Sequence, residues 1–228
     1  MERSPDYAVN LVVEGQECLV VGGGEVAARK VEGLTTCGAL VTVVAPRTVP
    51  AIDRLARVPP GGFATVTVER RPYREGEAAR FRLVVTATGV RQVDRAVASD
   101  ARAAGVWVNS ADDAEACSFL LPSIHRQGPV TLAVSTGGAS PALAAWLRRR
   151  LAREVGPEVA TMADLLDEAR RAVRAEGRST EDVDWKAILD GAFPELVAAG
   201  DLAGARAVLR SVTARPHGEA PIPRAGRT

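Results

Sequence analysis

The sequence predicts an α/β protein: a Rossmann-like, doubly wound parallel sheet, then a two-strand segment and a C-terminal helical region. Three observations carry this. Short apolar runs alternate with helix-period segments through the first half of the chain, the βαβ rhythm of a parallel sheet. A glycine triplet, Gly22-Gly23-Gly24, stands at the first strand-to-helix junction. Beyond Pro141 the spacing is helical only.

The elements follow in order. Glu17–Gly22 (ECLVVG) is a short apolar run ending in glycine, as expected of a buried parallel strand. Over Glu25–Cys37 the apolar Val26, Ala27, Val31 and Leu34 recur at helical spacing, and Gly38 stops the helix as a C-cap. Leu40–Ala45 is a second strand, ended by Pro46. Val49–Arg57 is a short helix closed by Pro59-Pro60-Gly61-Gly62, and Thr65–Arg70 alternates as a third strand. Leu83–Ala87, Gln92–Ala104 and Val106–Asn109 complete the sheet as strand, helix, strand. Ser118–Leu121 and Val130–Ser135 read as two further strands joined through Gln127-Gly128-Pro129. Helices are expected over Pro141–Val155, Glu158–Ala175, Asp182–Leu189 and Leu202–Leu209. The proline- and glycine-bearing stretch 214–228 is expected to be a disordered tail.

Composition bounds the function. The 228 residues suffice for one large domain, or an ordinary one plus a smaller one, and 46% apolar content suffices for a core. Lysine plus arginine (29) nearly cancels aspartate plus glutamate (28), which argues against a dedicated nucleic-acid binder. No apolar run is long enough for a transmembrane helix, and the N-terminal stretch lacks the apolar core of a secretory signal. Cys18, Cys37 and Cys117 are odd in number and far apart, so neither a disulfide framework nor a thiolate zinc site is indicated, and a reducing cytoplasm is the expected location. Only Lys30 and Lys186 are lysines. In so arginine-biased a chain, Arg148-Arg149-Arg150 reads as a solvated helix face before it reads as a binding patch.

Gly22, Gly24 and Ala27 fit the G-x-G-x-x-G/A dinucleotide fingerprint. The first glycine permits the tight turn, the second lets a pyrophosphate approach the backbone, and the small third residue lets helix and sheet pack closely. The helix start then offers N–H groups and a positive dipole end to the phosphates. The acid expected about 20 residues further on, to hold the adenosine ribose, is missing from Val44-Ala45-Pro46-Arg47. Arg47 even suits a 2′-phosphate, so the residues alone leave NAD and NADP open. Thr86-Ala87-Thr88-Gly89 follows the fourth strand, where small side chains suit a loop passing the nicotinamide-side ribose.

These segments resemble a known family, the precorrin-2 dehydrogenase / sirohydrochlorin ferrochelatase family, which forms the N-terminal module of siroheme synthases. The matching stretches are VVGGGEVAARK (20–30), VTVVAP (41–46), VTAT (85–88), VNSADDAEACSFLLPS (108–123) and LAVSTGGASPALAAWL (132–147). The resemblance implies NAD-dependent dehydrogenation of precorrin-2 to sirohydrochlorin in siroheme biosynthesis and, in some members, Fe²⁺ insertion to give siroheme. It implies a dinucleotide-binding domain over 1–117, a small homodimerisation segment of two strands plus a helix over 118–155, and a helical domain over 156–213. It assigns the role tied to both chemistries to Asp112, which closes Asn109-Ser110-Ala111-Asp112, with Asp113 directly beside it. It carries the nucleotide contacts to Glu25, Val26, Pro46 and Arg47, and favours NAD although the ribose acid is missing.

The chemistry can be argued beside the resemblance. Asp112 follows the fifth strand at its C-terminal end, where open α/β sheets bind ligands. Oxidation of the macrocycle releases a hydride and a proton, and a carboxylate at the cleft can take the proton. Metal insertion displaces pyrrole protons, which the same base can accept. Ser140 is placed to cap the helix that Pro141 opens, with Thr136, Gly137 and Gly138 leading into it. That helix start, together with Asn109, is a candidate contact for a carboxylate-bearing tetrapyrrole. No stored metal is expected, because His125 is the one histidine outside the tail and cannot by itself make a multi-histidine site. His125 reads as structural or surface, and Cys117 as a small packing residue near Asp112. Two alternatives remain: a dinucleotide-sensing regulatory module without tetrapyrrole chemistry, and a chelatase alone. The intact Gly22, Gly24 and Ala27 speak against the second.

Overall fold

The computed structural model describes residues 6–60, 62 and 64–214, and the expected disordered tail 215–228 lies outside them. The described residues form two compact units that divide after Leu121, with 137–139 belonging to the first.

The first unit is a five-stranded sheet of β1 (Glu17–Val21), β2 (Leu40–Val44), β3 (Thr65–Glu69), β4 (Leu83–Thr86) and β5 (Trp107–Ser110). All strands are parallel and the order is β3-β2-β1-β4-β5. This is the doubly wound sheet expected, with its topological switch between β1 and β4. The pleat sorts side chains between two cores. Cys18, Val20, Val41, Val43 and Val85 meet Ala27 and Val31 of α1 (Glu25–Thr36) and Ile52 of α2 (Pro50–Arg57). Leu19, Val21, Val84 and Val108 meet Val97, Ala98 and Ala101 of α3 (Arg91–Ala103) on the other face.

The second unit opens with an antiparallel hairpin, β6 (Ser123–Gln127) and β7 (Val130–Val134), joined by Gly128-Pro129. Gly128 takes φ +55, the left-handed region that the first residue of a tight hairpin turn requires. The sequence placed the first of these strands at Ser118–Leu121. In the structure that stretch is wound onto β5 instead: Ser118 N donates to Val108 O at 2.8 Å, and Ser118 Oγ accepts from Val108 N at 2.7 Å. Pro122, which has no N–H to donate, separates it from β6.

Five helices follow: α4 (Pro141–Glu154), α5 (Glu158–Ala175), α6 (Trp185–Leu189), α7 (Phe193–Ala198) and α8 (Leu202–Thr213). The helix expected over Asp182–Leu189 begins at Trp185, because Asp184 caps it by accepting from Ala187 N at 2.9 Å. The sequence reading missed α7, a six-residue helix with proline in its first turn. Leu165, Val173, Ile188, Phe193, Val197 and Leu209 form the core of this unit.

Candidate functional site at the carboxyl edge of the sheet

The loop after β1 is shaped by what surrounds its glycines. Gly22 has φ +134, and a Cβ there would lie 2.3 Å from Ala87 O. A Cβ on Gly23 would lie 1.8 Å from Arg47 O, and Gly23 O accepts from Val49 N at 2.8 Å. Gly22 and Gly23 therefore let three loops close on one another. Gly24 differs, since a Cβ would meet nothing within 4 Å. It is the N-cap of α1, and no side chain caps that helix start. Ala27 is fully buried against the sheet. Open space at Gly24 above an uncapped helix start fits a bound pyrophosphate, and Glu25 and Val26 lie exposed beside it. The sequence reading treated Gly23 as a spacer; a middle glycine that no residue with a Cβ could replace carries no separate signal in the fingerprint.

Pro46 and Arg47 are exposed after β2, and the Arg47 guanidinium has no partner among the described residues. The nearest acid in sequence, Asp53, accepts from Thr48 Oγ1 at 2.9 Å and from Arg70 at 2.7 Å.

The loop after β4 is held by a residue that the sequence reading passed over. Thr86 and Asp94 are buried. One oxygen of Asp94, Oδ1, accepts from Thr86 Oγ1, from Thr88 Oγ1 at 2.8 Å and from Thr88 N at 3.1 Å. Ala87 N donates to Val21 O at 2.8 Å. The available signal was an acid on the inward stripe of α3, at the spacing of Val97, Ala98 and Ala101.

At the end of β5 the two adjacent acids separate in role. Asp113 is largely buried and paired with Arg95 at 3.0 Å, with Arg91 at 4.0 Å. The hydrogen bond from Arg95 holds its carboxyl below the usual carboxylate range. Asp112 is exposed and makes no hydrogen bond or ion pair among the described residues. Its segment is tied to the sheet by Ala111 N donating to Thr86 O at 2.9 Å. Asn109 is buried, and its amide donates to Phe119 O at 3.1 Å and toward Cys117 Sγ at 3.5 Å. Those donors organise the segment after β5 and are not turned outward. Ser110 Oγ is buried without a hydrogen-bond partner among the described residues.

Lys30 of α1 is half-buried with no carboxylate partner among the described residues, and burial first, then the charge of Arg29, lowers its pKa. Burial pushes the Cys18 thiol up to about 11, so Cys18 is an inert core residue. Among the described residues no disulfide joins the cysteines, and no cluster of metal-ligating side chains occurs.

At the entry to α4, Thr136 Oγ1 accepts from Ser140 N at 3.0 Å and donates to Ser140 O at 3.1 Å. Ser140 Oγ caps α4 by accepting from Leu143 N at 3.2 Å. Gly137 and Gly138, at φ +59 and +83, make the turn between them. His125 on β6 has a buried Nε2 without a hydrogen-bond partner among the described residues.

Comparison with known proteins adds the following. A family model described as putative NAD(P)-binding matches residues 9–123, and one described as sirohaem biosynthesis protein central matches 127–154. The siroheme synthase of Chromobacterium violaceum is 38% identical over 208 residues, covering 88% of this chain and 42% of that protein. That of Methylococcus capsulatus is 38% identical over 195 residues, covering 84% and 40%. The chain thus spans about two-fifths of the length of the curated relatives it matches. A solved structure of SirC, a precorrin-2 dehydrogenase, is similar in fold with a TM-score of 0.71. It shares 24% identity and covers 92% of this chain and 100% of that one.

Proposed function

This chain belongs to the family of the N-terminal module of siroheme synthases, matched through its putative NAD(P)-binding domain and sirohaem-biosynthesis central segment, and from that premise we propose that it is an NAD-dependent precorrin-2 dehydrogenase forming sirohydrochlorin. One observation carries the reading. The carboxyl edge of a single parallel sheet presents both the open, uncapped loop at Gly24 and the unpaired carboxylate of Asp112.

Bound NAD would supply the hydride acceptor. Gly22 and Gly24 with the start of α1 hold its pyrophosphate, Glu25, Val26, Pro46 and Arg47 flank its adenosine half, and Thr86, Ala87 and Thr88 shape the loop beside its other ribose. Asp112 takes the proton that leaves the macrocycle as the hydride departs. Its freedom from any partner leaves it able to do so, whereas Asp113 is held as a carboxylate by arginine. The same Asp112 carboxylate can accept the pyrrole protons displaced when Fe²⁺, here a substrate, enters the ring. Thr136, Gly137, Gly138 and Ser140 form a turn at a helix start suited to a substrate carboxylate.

The reading extends to assembly and location. The half-exposed Leu143, Trp146 and Leu151 on α4 support a homodimer formed through segment 118–155. Residues 1–117 then serve as the dinucleotide domain and 156–213 as a helical domain. Three dispersed cysteines without a disulfide among the described residues support a reducing compartment, the cytoplasm.

Anaerobic incubation of the purified chain with precorrin-2 and NAD tests the proposal. NADH and the sirohydrochlorin spectrum should appear together. NAD(H) binding without consumption of the tetrapyrrole would instead identify a dinucleotide-sensing module.

A further inference from the structure

Asp94 is a buried acid with no cationic partner among the described residues, a costly arrangement unless its oxygens are hydrogen-bonded. Its bonds are concentrated on one atom. Oδ1 accepts from Thr86 Oγ1, Thr88 Oγ1 and Thr88 N, which draws both ends of Thr86-Ala87-Thr88 toward α3. That tripeptide touches both halves of the site. Ala87 O lies where any Cβ on Gly22 would collide with it, and Ala87 N donates to Val21 O. Thr86 O receives Ala111 N, one residue before Asp112.

We propose that Asp94 is the positioning residue of the dinucleotide site, acting through the single acceptor Oδ1 to set the β4–α3 loop between the Gly22 turn and the Asp112 segment. The proposal rests on the reading of that edge as an NAD site. Asp94 makes no contact with cofactor or substrate in this role. It fixes the carbonyl and N–H directions of residues that do. Because all three bonds end on one oxygen, the essential feature is an acceptor at that point and not the negative charge. An asparagine, which keeps a carbonyl oxygen there, can accept the same bonds.

NADH binding by calorimetry on the full chain, with thermal unfolding alongside, tests this on Asp94→Ala, Asp94→Asn and Thr88→Val. Asp94→Ala should weaken NADH binding about tenfold or more, the scale of losing a buried hydrogen-bond acceptor. Asp94→Asn should stay within about threefold of the parent, because the acceptor remains. Thr88→Val should fall between them. In turnover, Asp94→Ala should raise KM for NAD by a larger factor than it lowers kcat. A folded Asp94→Ala with parental affinity overturns the proposal, as does an Asp94→Asn chain as weak as Asp94→Ala. Should Asp94→Ala fail to unfold cooperatively, parental affinity in Thr88→Val overturns it. If the unaltered chain binds no NADH, the NAD reading falls and this proposal with it. If it binds NADH and the variants do not differ, only the role of Asp94 falls.

Discussion

The five-stranded sheet and the β6–β7 hairpin with α4 solve the burial problem differently. Every residue of β4 is buried, and so are four of five in β1, because helices of the same unit cover both faces. In β6 and β7 no residue is fully buried, and α4 buries only Ala144. A parallel sheet covered on both sides reaches a closed core within one chain. The hairpin and α4 keep Leu143, Trp146 and Leu151 half-exposed, the pattern of a surface that awaits another protein surface. The proposed function accordingly places chemistry at the edge of the closed sheet and assembly on the open segment.

Four substitutions break or sharpen that contrast. Asp112→Asn removes the proposed base while leaving the closed sheet alone. Turnover of precorrin-2 should fall about 10²–10⁴-fold with the melting temperature unchanged, and near-parental rates would remove Asp112 from the chemistry. Phe193→Ala hollows out the helical core of the second unit, where Phe193 is fully buried. It should destabilise that unit by about 3–5 kcal/mol in denaturant titration while NADH affinity is retained. Trp146→Glu charges the open face. Sedimentation should show a dimer weakened about tenfold or more, without loss of secondary structure by circular dichroism, and an unchanged association state would remove α4 from the interface.

The smallest effect belongs to Asp113→Asn. The Arg95 bridge lowers the folded-state pKa of Asp113, so its contribution is complete above the ordinary aspartate pKa and disappears as pH falls through the depressed one. The variant should melt slightly below the parent at neutral pH, and the two curves should converge in acid.

The sheet was legible because apolar runs, glycine stops and helix periodicity agreed along it: predicted and observed strands differ by a residue or two at β1 to β5. Reading failed where side chains overrode local pattern. Ser118–Leu121 has a strand's composition, but Ser118 and Asn109 tie it to the end of β5 and Pro122 detaches it from the hairpin. At the candidate site, the glycine loop and the carboxylate pair could be found by spacing, since their chemistry depends on residues close in the chain. Asp94 carried one signal, its place on the inward stripe of α3, but an acid in the first turn of a helix ordinarily answers the helix dipole at the surface. Only the fold turns this one inward onto two threonines. The partition of Asp112 from Asp113 was equally hidden, because Arg95 reaches Asp113 from 18 positions away.

That partition also bears on how a guest would approach. Two neighbouring bare carboxylates would repel a macrocycle fringed with its own acidic arms. With Arg91 and Arg95 pairing Asp113, the segment after β5 would meet the proposed polyanionic substrate with one bare carboxylate, that of Asp112, and with two arginines beside it.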